Sequence, residues 1–165
     1  LVMRNRYSEA ETAQNPHFIG AKKTLTFQIL SENSQVVNKL ANAYIKVGSR
    51  IHADENSAYD ELMVRYNLHR VNHQKEYCSD EGITNNLAES YCSRFKRMII
   101  GTHHKISKKY LDNYANECAY REDNRRVDNL SVFNSTLEQC LSTDNTTDWQ
   151  GYWQGNHRPA ERLIM

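Results

Sequence analysis

Between Thr24 and Asp54 the hydrophobic period changes from two to about 3.6 and back again, which confines the chain to a fold mixing sheet and helix. Thr24 to Leu30 alternates β-branched and aromatic residues with polar ones, as a half-buried strand does. Residues 31–34 supply turn residues and a helix cap. Val36, Val37, Leu40, Ala43, Tyr44 and Val47 then recur at helical spacing, with Gly48 as the stop. Arg50 to Ala53 reads as a short strand that delivers Asp54 to its end. Ala58, Leu62 and Tyr66 share one face of a short helix, and His69 to His73 reads as a further strand. Thr84 to Asn86 caps a long helix whose buried stripe is Ala88, Tyr91, Phe95, Met98 and Ile99, broken by Gly101. A last helix over 107–124 turns Tyr110, Leu111, Tyr114 and Cys118 inward. Strands alternating with helices predict an α/β domain.

Both flanks lack this order. Residues 1–22 are polar and aperiodic and are expected to be loop. After Arg126 the pattern fades, and Ser142 to Asp148 is poor enough in apolar residues to be disordered. The organisation expected is a polar segment 1–22, one domain over 23–127 and a tail over 128–165. A chain of 165 residues suffices for one proper core. Its longest apolar runs fall far short of a bilayer span, so no membrane partner is expected. Cysteines 78, 92, 118 and 140 have no CxxC spacing. Without a secretory signal they read as reduced thiols of a cytoplasmic protein.

The net charge of +1 conceals segregation. Residues 1–53 carry +4, 54–88 carry −4, 89–127 carry +4 and 128–165 carry −3. From Arg94 to Lys109 there are six basic residues, two histidines and no acid. A basic face beside an acidic cluster suits a metal-dependent enzyme of nucleic acids; solvated helix faces give the same pattern.

Asp54 and Glu89 carry the chemistry in this reading. Asp54 sits where a short strand runs out, the usual place for functional groups on an α/β sheet. Glu89 lies in the first turn of its helix, and Lys96, seven residues on, returns to nearly the same azimuth with Cys92 and Ser93 between. Carboxylates from separate elements hold hard divalent ions such as Mg²⁺ or Mn²⁺. Two such ions activate an attacking hydroxyl and stabilise the leaving oxygen of a phosphodiester, with Lys96 over a phosphate. Alternatively Asp54 caps the helix starting near Asn56, and Glu89 complements the positive end of its own helix.

Five ordered blocks decide between these. They are His52 to Tyr59 (HADENSAY), Val71 to Tyr77 (VNHQKEY), Thr84 to Tyr91 (TNNLAESY) with Lys96 and Arg97, Gly101 to Ser107 (GTHHKIS), and Tyr120 to Arg126 (YREDNRR). In order and spacing they resemble the catalytic domain of bacterial insertion-sequence transposases of the Asp-Asp-Glu type, which has a ribonuclease H-like fold, a mixed sheet with flanking helices. The resemblance implies DNA transposition: metal-dependent cleavage and strand transfer at insertion-sequence ends, on DNA in the bacterial nucleoid, by a homo-oligomer. It makes Asp54 the second acid and Glu89 the third, with Asn86 as a rival ligand. It also puts Lys96, Arg97, His103, His104, Lys105, Lys108 and Lys109 on DNA and Asn72 and His73 near two Mg²⁺ or Mn²⁺ ions; a tucked-in, hydrogen-bonded His73 and solvent-facing His103 and His104 fit the same residues equally well.

The pattern departs from that family at its start. The first catalytic aspartate belongs on the first strand, yet no aspartate precedes Asp54, and Glu9 and Glu11 sit in polar sequence. No N-terminal zinc ribbon or helix-turn-helix is visible. The chain is therefore expected to be truncated and to show little or no strand transfer alone, and the alternative is a non-catalytic remnant that at most binds DNA or a full-length transposase. A zinc site from His69, His73, Cys78 and Cys92 is set aside, because residues four apart on a strand lie about 13 Å from each other. A cysteine–histidine nucleophile has no local signature. Trp149, Tyr152 and Trp153 are expected to dock on the core rather than stack on bases.

Overall fold

The computed structural model describes residues 1–15, 17–71 and 85–144. In chain order these form β1 (Val2–Arg6), α1 (Glu9–Gln14), β2 (Ala21–Thr26), α2 (Ser34–Tyr44), β3 (Arg50–Ala53), a 3₁₀ segment (Ser57–Val64), β4 (Asn67–Arg70), α3 (Asn86–Met98), α4 (Leu111–Asn124) and α5 (Asn129–Ser142). The α/β class expected from the alternating periods holds. β1 and β2 pair antiparallel, and β3 and β4 pair parallel with Arg50 beside Asn67 and Ala53 beside Arg70. Among the described residues the two pairs are separate two-stranded sheets.

Each pair has its own apolar packing. Val37 and Ala41 of α2 meet Ala58, Leu62 and Tyr66, with Ile51 and Leu68 from the parallel strands against them. The Ala58/Leu62/Tyr66 face is thus buried as its spacing predicts, although the winding is 3₁₀ and not α. The α2 stripe is narrower than expected: Val36, Val37, Leu40 and Ala41 are buried, whereas Ala43, Tyr44 and Val47 are exposed. The helix stops at Tyr44, and Gly48, at φ +80°, turns the chain toward β3 instead of capping the helix. A second cluster joins Tyr91 of α3 to Cys118 and Ala119 of α4, with Val2, Phe95 and Met98 against it. The Tyr91 hydroxyl donates to the Ala115 carbonyl at 2.7 Å, which satisfies its one polar atom at 1% exposure.

Four local expectations are overturned. Residues 1–22 are not loop: β1 pairs along β2, and α1 starts in a capping box in which Ser8 Oγ accepts from the Glu11 N–H and Glu11 accepts from the Ser8 N–H. The strand expected over 24–30 is shifted to Ala21–Thr26, because its register is set by β1. Residues 129–142 are helical, with Asp128 accepting from the Ser131 N–H at 3.0 Å as N-cap. Gly101 does not break α3, which continues as a wide π-helical turn over Ile99–His103 and ends at His104, at φ +55°.

The antiparallel pair is fastened to the helices by buried polar contacts. Thr24 is 5% exposed, and its N–H and hydroxyl both donate to the Asp123 carboxylate of α4, at 2.9 and 2.7 Å. Arg4 of β1 donates to Thr24 Oγ1 at 3.0 Å and to the Leu87 carbonyl of α3 at 2.9 Å. It also lies 3.6 Å from Glu122, whose carboxylate further pairs with Arg94 and Arg125.

Candidate functional site

Asp54 is the first residue past β3, at the carboxyl end of the parallel pair. Just before it, the Ala53 carbonyl accepts from the Val71 N–H at 3.0 Å. Asp54 Oδ1 accepts from the Asn56 N–H at 3.1 Å, while Asn56 itself is the N-cap, accepting from the Ala58 N–H at 2.9 Å. The capping alternative therefore falls to Asn56, and Asp54 is held by a local turn with its side chain half-buried.

Glu32 joins this neighbourhood from the loop before α2. Its carboxylate accepts from the Tyr59 hydroxyl and from Asn56 Nδ2 at 3.2 Å. Burial pushes the Tyr59 phenol well above its ordinary range, helped by the hydrogen bond to Glu32 and by the charges of Glu32 and Asp54. Glu32 is thus an acid before Asp54 in sequence that is held near it through Tyr59 and Asn56. Nothing in its local sequence marks it, because only the return of the chain through β3 sets it beside Tyr59. Glu9 and Glu11 lie in the first turn of α1, with Glu11 pulled down to about 2 mainly by its bond to Lys22 and by Ser8.

Glu89, Cys92, Ser93 and Lys96 form one exposed face of α3, opposite the buried Tyr91. Asn86 is exposed one turn before Glu89. At the start of β1 the Leu1 ammonium donates to the Phe27 carbonyl at 2.8 Å. Burial lowers the pKa of this ammonium, and the opposing influences come from Glu32 and Cys92. Among the described residues, no three of the histidine, cysteine, aspartate and glutamate side chains gather closely enough to hold a metal ion.

Lys96 and Arg97 are exposed in the last turn of α3, where their charge also complements the helix dipole. His104, Lys105 and Lys108 are exposed beyond it. His103 is half-buried and packs on Tyr114 with ring centroids 4.6 Å apart, so its imidazole is tied to α4. Lys109 lies in a short 3₁₀ turn. His69 faces His52 across the parallel pair with centroids 5.8 Å apart. Asn72, His73, Cys78, Trp149, Tyr152 and Trp153 lie outside the described residues. No helix among the described residues is long and apolar enough to cross a membrane.

A family model described as an ISXO2-like transposase domain matches residues 1–123. That stretch holds both strand pairs and every candidate acid and base above. No curated protein and no solved structure matches the chain.

Proposed function

From the premise that this chain belongs to the ISXO2-like transposase family over residues 1–123, we propose that it is the catalytic domain of an insertion-sequence transposase. Membership makes transposition its class of activity and DNA its partner. The finer reading is metal-dependent cleavage and strand transfer of DNA phosphodiesters on a ribonuclease H-like fold, acting as a homo-oligomer. In that fold both strand pairs belong to one sheet, completed by a further strand that brings the first aspartate. The observation that carries the reading is the place of Asp54, directly past β3 at the carboxyl end of a parallel pair.

The donor chemistry fits a hard cation: Asp54 and Glu89 offer carboxylate oxygens, and Asn86 an amide oxygen. Asp54 and Glu89 would hold Mg²⁺ or Mn²⁺, with Asn86 in reserve for the third position. When bound, the ion supplies Lewis-acid charge at the scissile phosphate. The Asn56 N–H fixes one oxygen of Asp54. In this reading Lys96, on the same helical face as Glu89, would steady a DNA phosphate, with Arg97 beside it and His104, Lys105 and Lys108 extending the basic track.

Calorimetric titration of Mn²⁺ into the wild-type chain and into Asp54→Asn tests the centre. The expected result is binding that weakens at least tenfold in the variant. Equal affinity in the two would remove Asp54 from the site, and no Mn²⁺ binding by either would favour the non-catalytic, DNA-binding remnant.

A further inference from the structure

The turn that follows β3 is tied together at Asn56, whose backbone and side-chain polar groups are all engaged. Its N–H donates to Asp54 Oδ1 at 3.1 Å, and its side-chain Oδ1 accepts from the Ala58 N–H at 2.9 Å. Its carbonyl accepts from the Tyr59 N–H and from Arg70 Nη2, each at 3.1 Å. Arg70 is the last residue of β4 and also pairs with Asp60, so the turn is anchored to the parallel strands. The remaining group, Asn56 Nδ2, donates at 3.2 Å to Oε2 of Glu32, which lies 24 positions earlier in the chain. Glu32 Oε1 accepts from the Tyr59 hydroxyl as well.

The two oxygens of Asp54 are treated differently by this arrangement. Oδ1 is taken by the Asn56 N–H, and Oδ2 has no hydrogen bond to the described residues. A carboxylate held by one oxygen keeps its orientation and lends the other to a cation. A single hydrogen bond in so short a turn competes with water and holds weakly alone. Asn56 keeps its N–H on Asp54 only while its own side chain and carbonyl are fixed, and Glu32 fixes the side chain from outside the turn. Glutamate suits this task, because each of its oxygens receives one donor. Glutamine would offer one acceptor and set its amide hydrogens against the second donor.

We propose that Glu32 is a positioning residue for Asp54: by clamping the Asn56 side chain and the Tyr59 hydroxyl, it keeps the Asn56 N–H on Oδ1 and so presents Oδ2 to a divalent cation. The proposal rests on the reading of Asp54 as a metal ligand and adds a residue that acts through Asn56. Two measurements on the full chain test it in Glu32→Gln and Asn56→Ser: calorimetric titration with Mn²⁺, and the exchange rate of the residue-56 amide proton by nuclear magnetic resonance without metal. Serine caps a helix about as well as asparagine and leaves every charge in place, but it lacks the amide that reaches Glu32. Each variant is expected to exchange that amide roughly tenfold faster, as a locally opened turn does. Each should also bind Mn²⁺ about 10–100-fold more weakly, the usual effect of removing a group that orients a metal ligand. The double variant should bind no more weakly than the weaker single one, because both changes cut the same link. Wild-type Mn²⁺ affinity in both variants, with Asp54→Asn still weakened, overturns the proposal and leaves Asp54 in the site. Weakening by Glu32→Gln alone overturns it in favour of Glu32 acting through its charge. Unchanged amide exchange in both variants overturns it whatever the metal does. No Mn²⁺ binding by the wild-type chain overturns the reading of Asp54 itself, and this role with it.

Discussion

Replacing Glu122 with glutamine keeps the shape of the side chain and removes the charge that faces Arg4, Arg94 and Arg125. The three guanidinium groups are not equivalent. Arg94 and Arg125 have side chains 34% and 37% exposed, so water makes up most of what they lose, and each pair contributes about 0–1 kcal/mol. Arg4 is 6% exposed and Glu122 10%, and there the counter-charge cannot be replaced by solvent. Removing one partner of a buried pair costs about 3–5 kcal/mol. Arg4 keeps its bonds to Thr24 and Leu87, which puts the loss at the lower end, about 3–4 kcal/mol in all. Against a domain stability of about 5–15 kcal/mol, that is a large fraction. Urea unfolding followed by circular dichroism should show the midpoint falling by about 1–3 M. A loss under about 1 kcal/mol would refute the reasoning, as would an Arg94→Ala variant costing as much as Glu122→Gln. The joint change Arg4→Met with Glu122→Leu should recover most of the loss, because neither charge is then left buried alone.

Other outcomes follow from the same structure. Tyr91→Phe removes the hydroxyl bonded to the Ala115 carbonyl at 2.7 Å and should cost about 1–3 kcal/mol in thermal unfolding, by leaving a buried carbonyl unpaired. Tyr59 is raised from the ordinary phenol value of 10.0, so it stabilises the fold fully below that pH and its contribution fades as pH climbs from there toward the native value. Absorbance at 295 nm should accordingly show it ionising later than exposed tyrosines, and Glu32→Gln should bring its titration down. Lys96→Ala and Arg97→Ala should each weaken duplex binding and lower the slope of log affinity against log salt by about 1, read by fluorescence anisotropy.

What could be read from the residues alone was whatever short-range periodicity encodes. The alternation ending at Ala53 put Asp54 at a strand end, and the 3.6-residue stripe on α3 set Glu89 and Lys96 opposite Tyr91. The motif blocks pointed to the family that the match over 1–123 bears out as a transposase domain. The α5 stripe of Leu130, Phe133 and Leu137 too is present in the sequence, but helical spacing with Glu138 as its one charged residue does not set an apolar face against a polar one. Tertiary structure alone decided the remainder, because the partners lie far apart along the chain. β1 became a strand by pairing with β2, although Arg4 and Arg6 disguise it as polar loop. Thr24 could be buried because Asp123, 99 residues on, accepts both of its donors. Glu32 reached the Asp54 neighbourhood through the hydroxyl of Tyr59, 27 residues later. A local window records which side of an element is apolar. Which buried charge or hydroxyl meets which partner depends on how the elements are stacked, and an unpaired polar group in the interior costs too much for that stacking to be arbitrary.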